Sequence, residues 1–453
     1  MQQANTNNGN RTILLEDGIY ELTSNLLYIG TNMTNLTLRS ASGNRDAVII
    51  RGQGMMGGVS HIFNVAASNF TVADMTIGWV ANHPIQIHAE TNADNCLIQN
   101  VRFVDANEHL LKVSGGSTLL ASDNGVVQCC LFEFTAGVAN QWYTGGIDAH
   151  RSFNWIVRNN TFKHIRSPDA GLAEHAIHFW IDSEGTLVEN NQIINCDRGI
   201  GFGLGGRGHT GGIIRNNIVH TSRDVGIGLE SASNAKVYNN TVITDNYPRS
   251  IEYRFTETRN AHIANNLATG SITSRDGGTG LIENNFTTND KSIFVDANNY
   301  DFHLIATQPQ ITNAGILLPE ISIDYDCDNR LDAPDIGADE YSVDRPIATT
   351  SDGTIEKDYL STLIQQANSV TIYPYSTTKK ANNSQQHLII APNPTGSATT
   401  LYYEIAKPSM LTLDLYDATG KKVMNILPNT SLSPGKYQKS VTISHLNLSL
   451  IHI

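Results

Sequence analysis

The heptapeptide IVRNNTF at Ile156–Phe162 recurs as LVENNQI (Leu187–Ile193), IIRNNIV (Ile213–Val219), KVYNNTV (Lys236–Val242), HIANNLA (His262–Ala268) and LIENNFT (Leu281–Thr287). Its second asparagine, Asn160, returns as Asn191, Asn217, Asn240, Asn266 and Asn285, at intervals of 31, 26, 23, 26 and 19 residues. A unit of fixed register and variable length marks a solenoid whose loops differ from coil to coil. Each copy alternates apolar and polar residues before reaching asparagine, which tolerates left-handed backbone and bonds locally at turns. Stacked coil on coil, these asparagines can pair along a ladder inside a bend. Upstream, the same frame takes in LIQNVRF with Asn100, VVQCCLF with Cys130 in the asparagine slot, and TVADMTI with Asp74.

A second short strand precedes each ladder asparagine: IDAHR from Ile147, IHFWI from Ile177, IGFGL from Ile200, IGLES from Ile227, IEYRF from Ile251 and ITSRD from Ile272. Two strands per coil with no helical period between them predict an all-β chain, a parallel β-helix. Over residues 10 to 341 the pattern resembles the right-handed parallel β-helices of secreted polysaccharide lyases and their relatives. That resemblance implies the fold; it leaves the activity open, because many functions share the solenoid.

The 453 residues carry a formal charge of −13 with 30 Lys and Arg, which argues against a nucleic-acid binder working through a general basic surface. Five cysteines (Cys96, Cys129, Cys130, Cys196, Cys327) include no C-x-x-C pair, so buried thiols are expected rather than a disulfide framework or a zinc site. No apolar run approaches the roughly 18 residues of a membrane span. MQQANTNNGN (Met1–Asn10) lacks the charged and apolar regions of a secretory leader, so the chain is expected to be either cytoplasmic or already relieved of one.

The repeat domain is assigned to residues 1–341. It closes with DYDCDNRLDAPDIGADEY (Asp324–Tyr341), similar to a segment that ends bacterial secreted β-helices, whose aspartates could hold calcium or form a solvated turn. Residues 342–385 read as a linker. In residues 386–447, Pro392-Asn393-Pro394, a strand pair about Gly420-Lys421-Lys422, and Gly435-Lys436-Tyr437 resemble the C-terminal sorting domain of the type IX secretion system of Bacteroidota. The resemblance implies a small β-sandwich-like domain, the type IX machinery as partner, and a secreted or cell-surface location. That domain ordinarily runs on for further strands. The final LSLIHI (Leu448–Ile453) matches a translated sequencing adapter, so residues 448–453 are expected to be an artefact of a cut gene. A monomer is expected.

In the second strand of each coil, alternate side chains face the interior. With the leading isoleucine inward, the residue two later is inward too, and Ala149, Phe179, Phe202, Leu229 and Tyr253 are mostly apolar, as that requires. Two columns then face outward. One is Gln86, Lys112, Asp148, His178, Gly201, Gly228, Glu252, Thr273; the other is His88, Ser114, His150, Trp180, Gly203, Glu230, Arg254, Arg275. Coils about 4.8 Å apart make these side chains mutual neighbours. The strip gathers His, Trp, Arg and carboxylates around three glycines, and strand glycines often mark close approach of a ligand. A recess is therefore expected over Gly201, Gly203 and Gly228, bordered by His178 and Trp180 on one side and Glu230, Glu252 and Arg254 on the other. GGRGHTGG (Gly205–Gly212) would bring Arg207 and His209 over its edge.

Between positions 141 and 289, 13 Lys and Arg face 14 Asp and Glu, so the acid excess lies elsewhere. A near-neutral groove with arginines and an aromatic platform suits an acidic or neutral sugar chain. Three functions fit. In the first, a lyase cleaves a uronate-containing glycan by β-elimination, or a related C5 epimerase acts on it. His178, or else Lys112 or His150, would be the base, Arg254 and Arg207 would neutralise the carboxylate, and Trp180 would stack on sugar. His209, Glu230, Glu252, His88 and Asp148 complete the substrate-binding set. The chain lacks an Asp-Pro-His epimerase signature and an acidic calcium cluster like that of chondroitinase-B-like lyases. No cofactor is assigned, calcium stays open, and the metal ligands are unknown. The second function is glycoside hydrolysis by Glu230 with Glu252, or Asp148 with Asp182. The third is a non-catalytic glycan-binding or adhesive solenoid.

Overall fold

Stacking of like strands builds the repeat region. Ten short strands, one per coil, run from Leu27–Ile29 to Ser271–Arg275 and pair into a single sheet, with every pairing parallel. A twenty-stranded sheet holds the strands before and after the asparagine bend. A five-stranded sheet of two-residue strands, from Ser122–Asp123 to Ala232–Ser233, lies between the two along each coil that has it. The chain is thus a parallel β-solenoid of about ten coils. The computed structural model describes residues 9–23, 27–115, 119–330, 333–342, 388–391, 398–405, 409–416 and 422–442. They fall into two units, Met1–Ile347 and Ala348–Ile453.

The paired asparagines divide the work of the bend. The first of each pair, Asn159, Asn190, Asn216, Asn239, Asn265 and Asn284, takes left-handed backbone with φ between 49° and 56°, which asparagine accepts at low cost. The second points inward and builds the ladder. Asn191 Oδ1 accepts both the backbone N–H and the Nδ2 of Asn160 (3.1 and 3.0 Å), and Asn191 donates in the same way to Asn217 (2.9 and 2.9 Å). The pattern continues through Asn240 and Asn266 to Asn285. Amides repeat well because each carries both a donor and an acceptor, so every buried polar atom finds its counterpart one coil away.

Upstream, the expected register shifts by one. Cys130 does occupy the ladder slot: its N–H donates to Asn160 Oδ1 (2.9 Å) and its Sγ accepts from Val101 N (3.5 Å). Asn100 and Asp74 instead sit in the left-handed slot (φ 51° and 59°), and Val101 and Met75 fill the inward positions. The ladder gives way to apolar packing there because these coils carry one polar residue at the bend, and the left-handed position claims it. Inside the coils, Phe103, Phe132 and Phe162 stack face to face with centroids 4.4 and 4.5 Å apart. None of the five cysteines forms a disulfide, and all but Cys327 are buried.

The closing segment is not a solvated turn. Asp324 is fully buried; its Oδ1 accepts the N–H groups of Asp326 and Asp328 (both 2.8 Å) and its Oδ2 that of Glu340 (2.7 Å). Arg330 pairs with Glu340 against the ladder side. In the C-terminal unit, Leu388–Ala391, Ala398–Ile405 and Gly435–Thr442 form an antiparallel sheet, and Ser409–Tyr416 pairs with Lys422–Leu432. Gly435-Lys436-Tyr437 opens a strand; Pro392-Asn393-Pro394, Gly420-Lys421, nearly all of the 342–385 linker and the 448–453 tail lie outside the described residues. Among the described residues no helix is long and apolar enough to cross a membrane.

Candidate functional site

The columns read from alternation stand in register. Gln86, Lys112, Asp148, His178, Gly201, Gly228, Glu252 and Thr273 pair in sequence across the ten-stranded sheet. In the second column, His88 pairs with Ser114, His150 with Trp180, and Glu230 with Arg254 and so with Arg275. Ala149, Phe179, Phe202 and Leu229 are fully buried on the inner face.

The expectation that the first column faces solvent is overturned along its middle, while Gln86 and Thr273 near its ends are half-buried. Asp148 is 2 %, His178 1 %, Glu252 3 % and Lys112 7 % exposed. Around Asp148 and His178 the cover comes from long loops. Tyr143 sets its ring edge-on against His109 (4.9 Å), Glu174 N donates to Thr144 O (2.7 Å) and Thr144 Oγ1 to Glu108 O (2.8 Å).

The glycine recess is also filled. Strict alternation would point His175 the same way as Ile177, yet its ring lies beside that of His178 (4.7 Å between centroids) and above Gly201, where a Cβ would come within 2.8 Å of it. Gly228 is close beneath the same ring. Gly203 backs onto the Glu230 carbonyl, 1.8 Å from where a Cβ would stand. The three glycines therefore admit a histidine and a neighbouring backbone rather than a ligand.

At the centre lies Asp148. Lys112 Nζ pairs with its Oδ2, Trp180 Nε1 donates to its Oδ1 (2.5 Å), and three imidazole nitrogens stand near: His109 Nε2 and His150 Nε2 at 3.6 Å and His178 Nδ1 at 3.7 Å. Burial would raise the Asp148 carboxyl, but the surrounding His109, His150 and Lys112 more than offset it and hold it well below the usual carboxylate range. Burial pushes His109 down to about 4 and lowers His178 and His175 as well.

His178, read as the base, is stacked parallel to Trp180 (5.2 Å) and donates through Nε2 to Gly203 O (3.2 Å); a polymer does not reach it. His150 is more open, with its side chain 14 % exposed, its ring edge-on to Trp180 (4.8 Å), and Nε2 3.1 Å from Lys112 Nζ. Arg207 is exposed and lies over the Trp180 ring at 5.4 Å. Trp142 and Tyr143 are 52 % and 39 % exposed.

The other predicted residues are committed elsewhere. His209 is 1 % exposed, stacked on Phe202 (4.0 Å) and bonded to Thr186 Oγ1 (2.9 Å), so it belongs to the coil interior and not to a groove edge. Arg254 spans Glu230 (3.0 Å) and Asp276 (2.7 Å), and Glu230 also accepts from Gly205 N (2.8 Å). Glu252 is held by Arg275 (3.0 Å) and Tyr247 (2.8 Å). His88 bonds Asn64 and Glu90, both at 2.6 Å. The alternation missed His109, Tyr143, Glu174 and His175, which arrive from loops or a strand end; EHAIHFW (Glu174–Trp180) was the visible signal for two of them.

Near this centre two groups bring ligand-type atoms within 4.8 Å of one another: His83, Glu108, His109, and Glu174, His175, His178. Calcium takes six to eight oxygens, and each trio offers two imidazoles and one carboxylate, so neither fits calcium. A surface concavity of about 700 Å³ lies elsewhere, along Thr244–Pro248 and Thr269–Ser271. Its Asp245 is already paired with His220 and Lys291.

A family description, "Right handed beta helix region", matches residues 87–268 and, overlapping, 145–308. Among solved structures, pectate lyase Pel9A is similar with a TM-score of 0.50 and 14% identity, covering 74% of this chain and 89% of that one. The A-module of the Azotobacter vinelandii mannuronan C-5 epimerase AlgE6 aligns with a TM-score of 0.38 and 15% identity over 63% of this chain and 85% of its own. The Streptococcus pneumoniae surface adhesin PfbA aligns with a TM-score of 0.38 and 12% identity over 61% and 70%. Curated protein sequences return no match. These likenesses concern the fold.

Proposed function

We propose that the solenoid is an extracellular, polysaccharide-active protein that cleaves a uronate-containing glycan by β-elimination, and that residues 386–447 direct its export through the type IX route. The observation that carries the activity is the partly exposed His150, hydrogen-bonded to Lys112 and flanked by the Trp180–Arg207 stack. A sugar ring lies on the exposed Trp142 and Tyr143 faces, and Arg207, held over the Trp180 ring, forks onto the uronate carboxylate. Lys112 turns its ammonium from His150 Nε2 toward that carboxylate, which acidifies the C5 proton and frees the imidazole nitrogen to take it. The C5 electron pair forms the C4–C5 double bond, the C4–O bond breaks, and the departing oxygen leaves as a hydroxyl by taking a proton from water, while His150 returns the C5 proton to solvent. Asp148 orients Lys112 throughout.

Hydrolysis is less well supported, because each carboxylate it would use is held by a cation: Glu230 by Arg254, Glu252 by Arg275, Asp148 by Lys112 and Asp182 by Arg151. The test is ultraviolet absorbance of the unsaturated uronate on a panel of uronate glycans, with calcium or chelator. Wild type should raise it on one substrate, and His150→Ala should lower the rate by about a hundredfold or more. New reducing ends without absorbance would mean hydrolysis, and retention of glycan with neither would mean a binding solenoid.

A further inference from the structure

Glu174, His175 and His178 each leave one buried polar atom without a hydrogen-bond partner: Oε2 of the glutamate and Nδ1 of both histidines. The two histidines are 6 % and 1 % exposed. Buried polar atoms are ordinarily satisfied, because an orphan forfeits its water without repayment. Three orphans from adjacent residues facing one another call for a shared partner.

The chemistry of the trio says which. His178 donates through Nε2 to Gly203 O (3.2 Å), which fixes the tautomer and leaves Nδ1 as a bare lone pair. Metal-bound histidines nearly always carry such an outward hydrogen bond on their other nitrogen. His178 Nδ1 lies 4.0 Å from Glu174 Oε2 and 3.7 Å from Asp148 Oδ1, a lone pair facing two carboxylates, which repels without a cation between them. Two imidazoles and a carboxylate suit a divalent transition metal far better than calcium. Tetrahedral zinc, with bonds of about 2.0–2.1 Å, puts its ligand atoms about 3.4 Å apart, so the trio closes by small side-chain rotations.

We infer that Glu174, His175 and His178 form a divalent transition-metal site, of the zinc type, buried beside Asp148. Two cations are nearby: Arg198 lies 3.5 Å from Glu174 but is engaged by Asp224 (3.0 Å), and Lys112 is engaged by Asp148. The metal would lock His175 over Gly201 and fix the His178 ring against which Trp180 stacks. The site does not depend on the lyase reading, since metal is bound whether or not any glycan is cleaved. The rival trio of His83, Glu108 and His109 is the less suited, since His83 Nε2 already lies 3.3 Å from a 27 % exposed Glu108.

The test uses the full chain without a histidine tag, stripped with chelator and titrated with Zn2+ by calorimetry and with Co2+ by visible absorbance, in excess calcium throughout. One ion per chain is expected, with intense cobalt bands of a low-coordinate nitrogen and oxygen site. Glu174→Gln and His175→Ala should weaken binding by at least about tenfold, while His83→Ala leaves it unchanged. Circular dichroism confirms that each variant is folded, and the wild-type cobalt spectrum stands even if one is not. Absence of stoichiometric binding by folded wild type, or loss in His83→Ala but not in Glu174→Gln, would overturn the assignment.

Discussion

The asparagine bend and the Asp148 strip are built by the same device, equivalent residues stacked one coil apart, and they treat buried polarity in opposite ways. Along Asn160 to Asn285 the same amide repeats, and each donor meets an acceptor. Along Lys112, Asp148 and His178 every neighbour differs, and the cluster around them keeps unsatisfied nitrogens on His109, His175 and His178. Further along the same sheet, Glu230, Glu252, Arg254 and Arg275 return to complete pairing. Repetition settles polarity for the fold; broken repetition leaves reactive groups poised at a cost that folding elsewhere must cover.

Four measurements can break or sharpen that contrast. The largest stability effect is expected for Asp148→Asn, which leaves Lys112 buried without its counter-charge: about 3–5 kcal/mol lost in denaturant unfolding. Asn217→Ala should follow at about 3 kcal/mol, because Asn191 loses the acceptor of two buried donors. The same change at half-buried Asn285 should cost less, and equal costs would show that the ladder does not act coil by coil. Arg254→Ala, in the partly exposed paired section, should change stability by no more than about 1 kcal/mol. A loss there as large as at Asp148 would erase the distinction between the two ends of the strip.

The smallest effect is local, in the closing segment. Burial alone would lower His303, but hydrogen bonds to Asp301 (2.5 Å) and Asp326 raise it from 6.5 to about 10. A raised folded value means that its stabilisation is complete below pH 6.5 and is lost as pH climbs toward 10. Asp324 and Glu340, raised from 3.8 and 4.5 to about 7 chiefly by burial, act with the same sign, losing their stabilisation as pH climbs from those ordinary values toward 7. Hydrogen-exchange protection of Asp301–Leu304 should therefore fall steadily on alkalisation, and His303→Gln should flatten its upper part. Protection that rises instead would reverse the assignment.

Much of the solenoid was legible in advance because its determinants are local. Asn159-Asn160 and its five repeats announce both a left-handed residue and a ladder, and the inward run Ala149, Phe179, Phe202, Leu229 fixes strand register without any tertiary information. One-residue ambiguity entered only where a bend has a single polar residue, as at Asn100 and Asp74. The columns of the strip were equally legible, since parallel stacking carries alternation from coil to coil.

What covers those columns was not. Loop lengths differ between coils, and the sequence by itself does not say that Tyr143 folds onto His109, that His175 leaves its alternation to occupy the space over Gly201, or that His209 stacks inward on Phe202. Nor does it say which arginines are spent, as Arg254 is on Glu230 and Asp276, and which stay open, as Arg207 does. Strand order and facing follow from a period of two and a repeating coil, which the chain encodes residue by residue. Exposure and charge pairing follow from contacts between loops far apart in sequence, and those exist only once the coils are stacked.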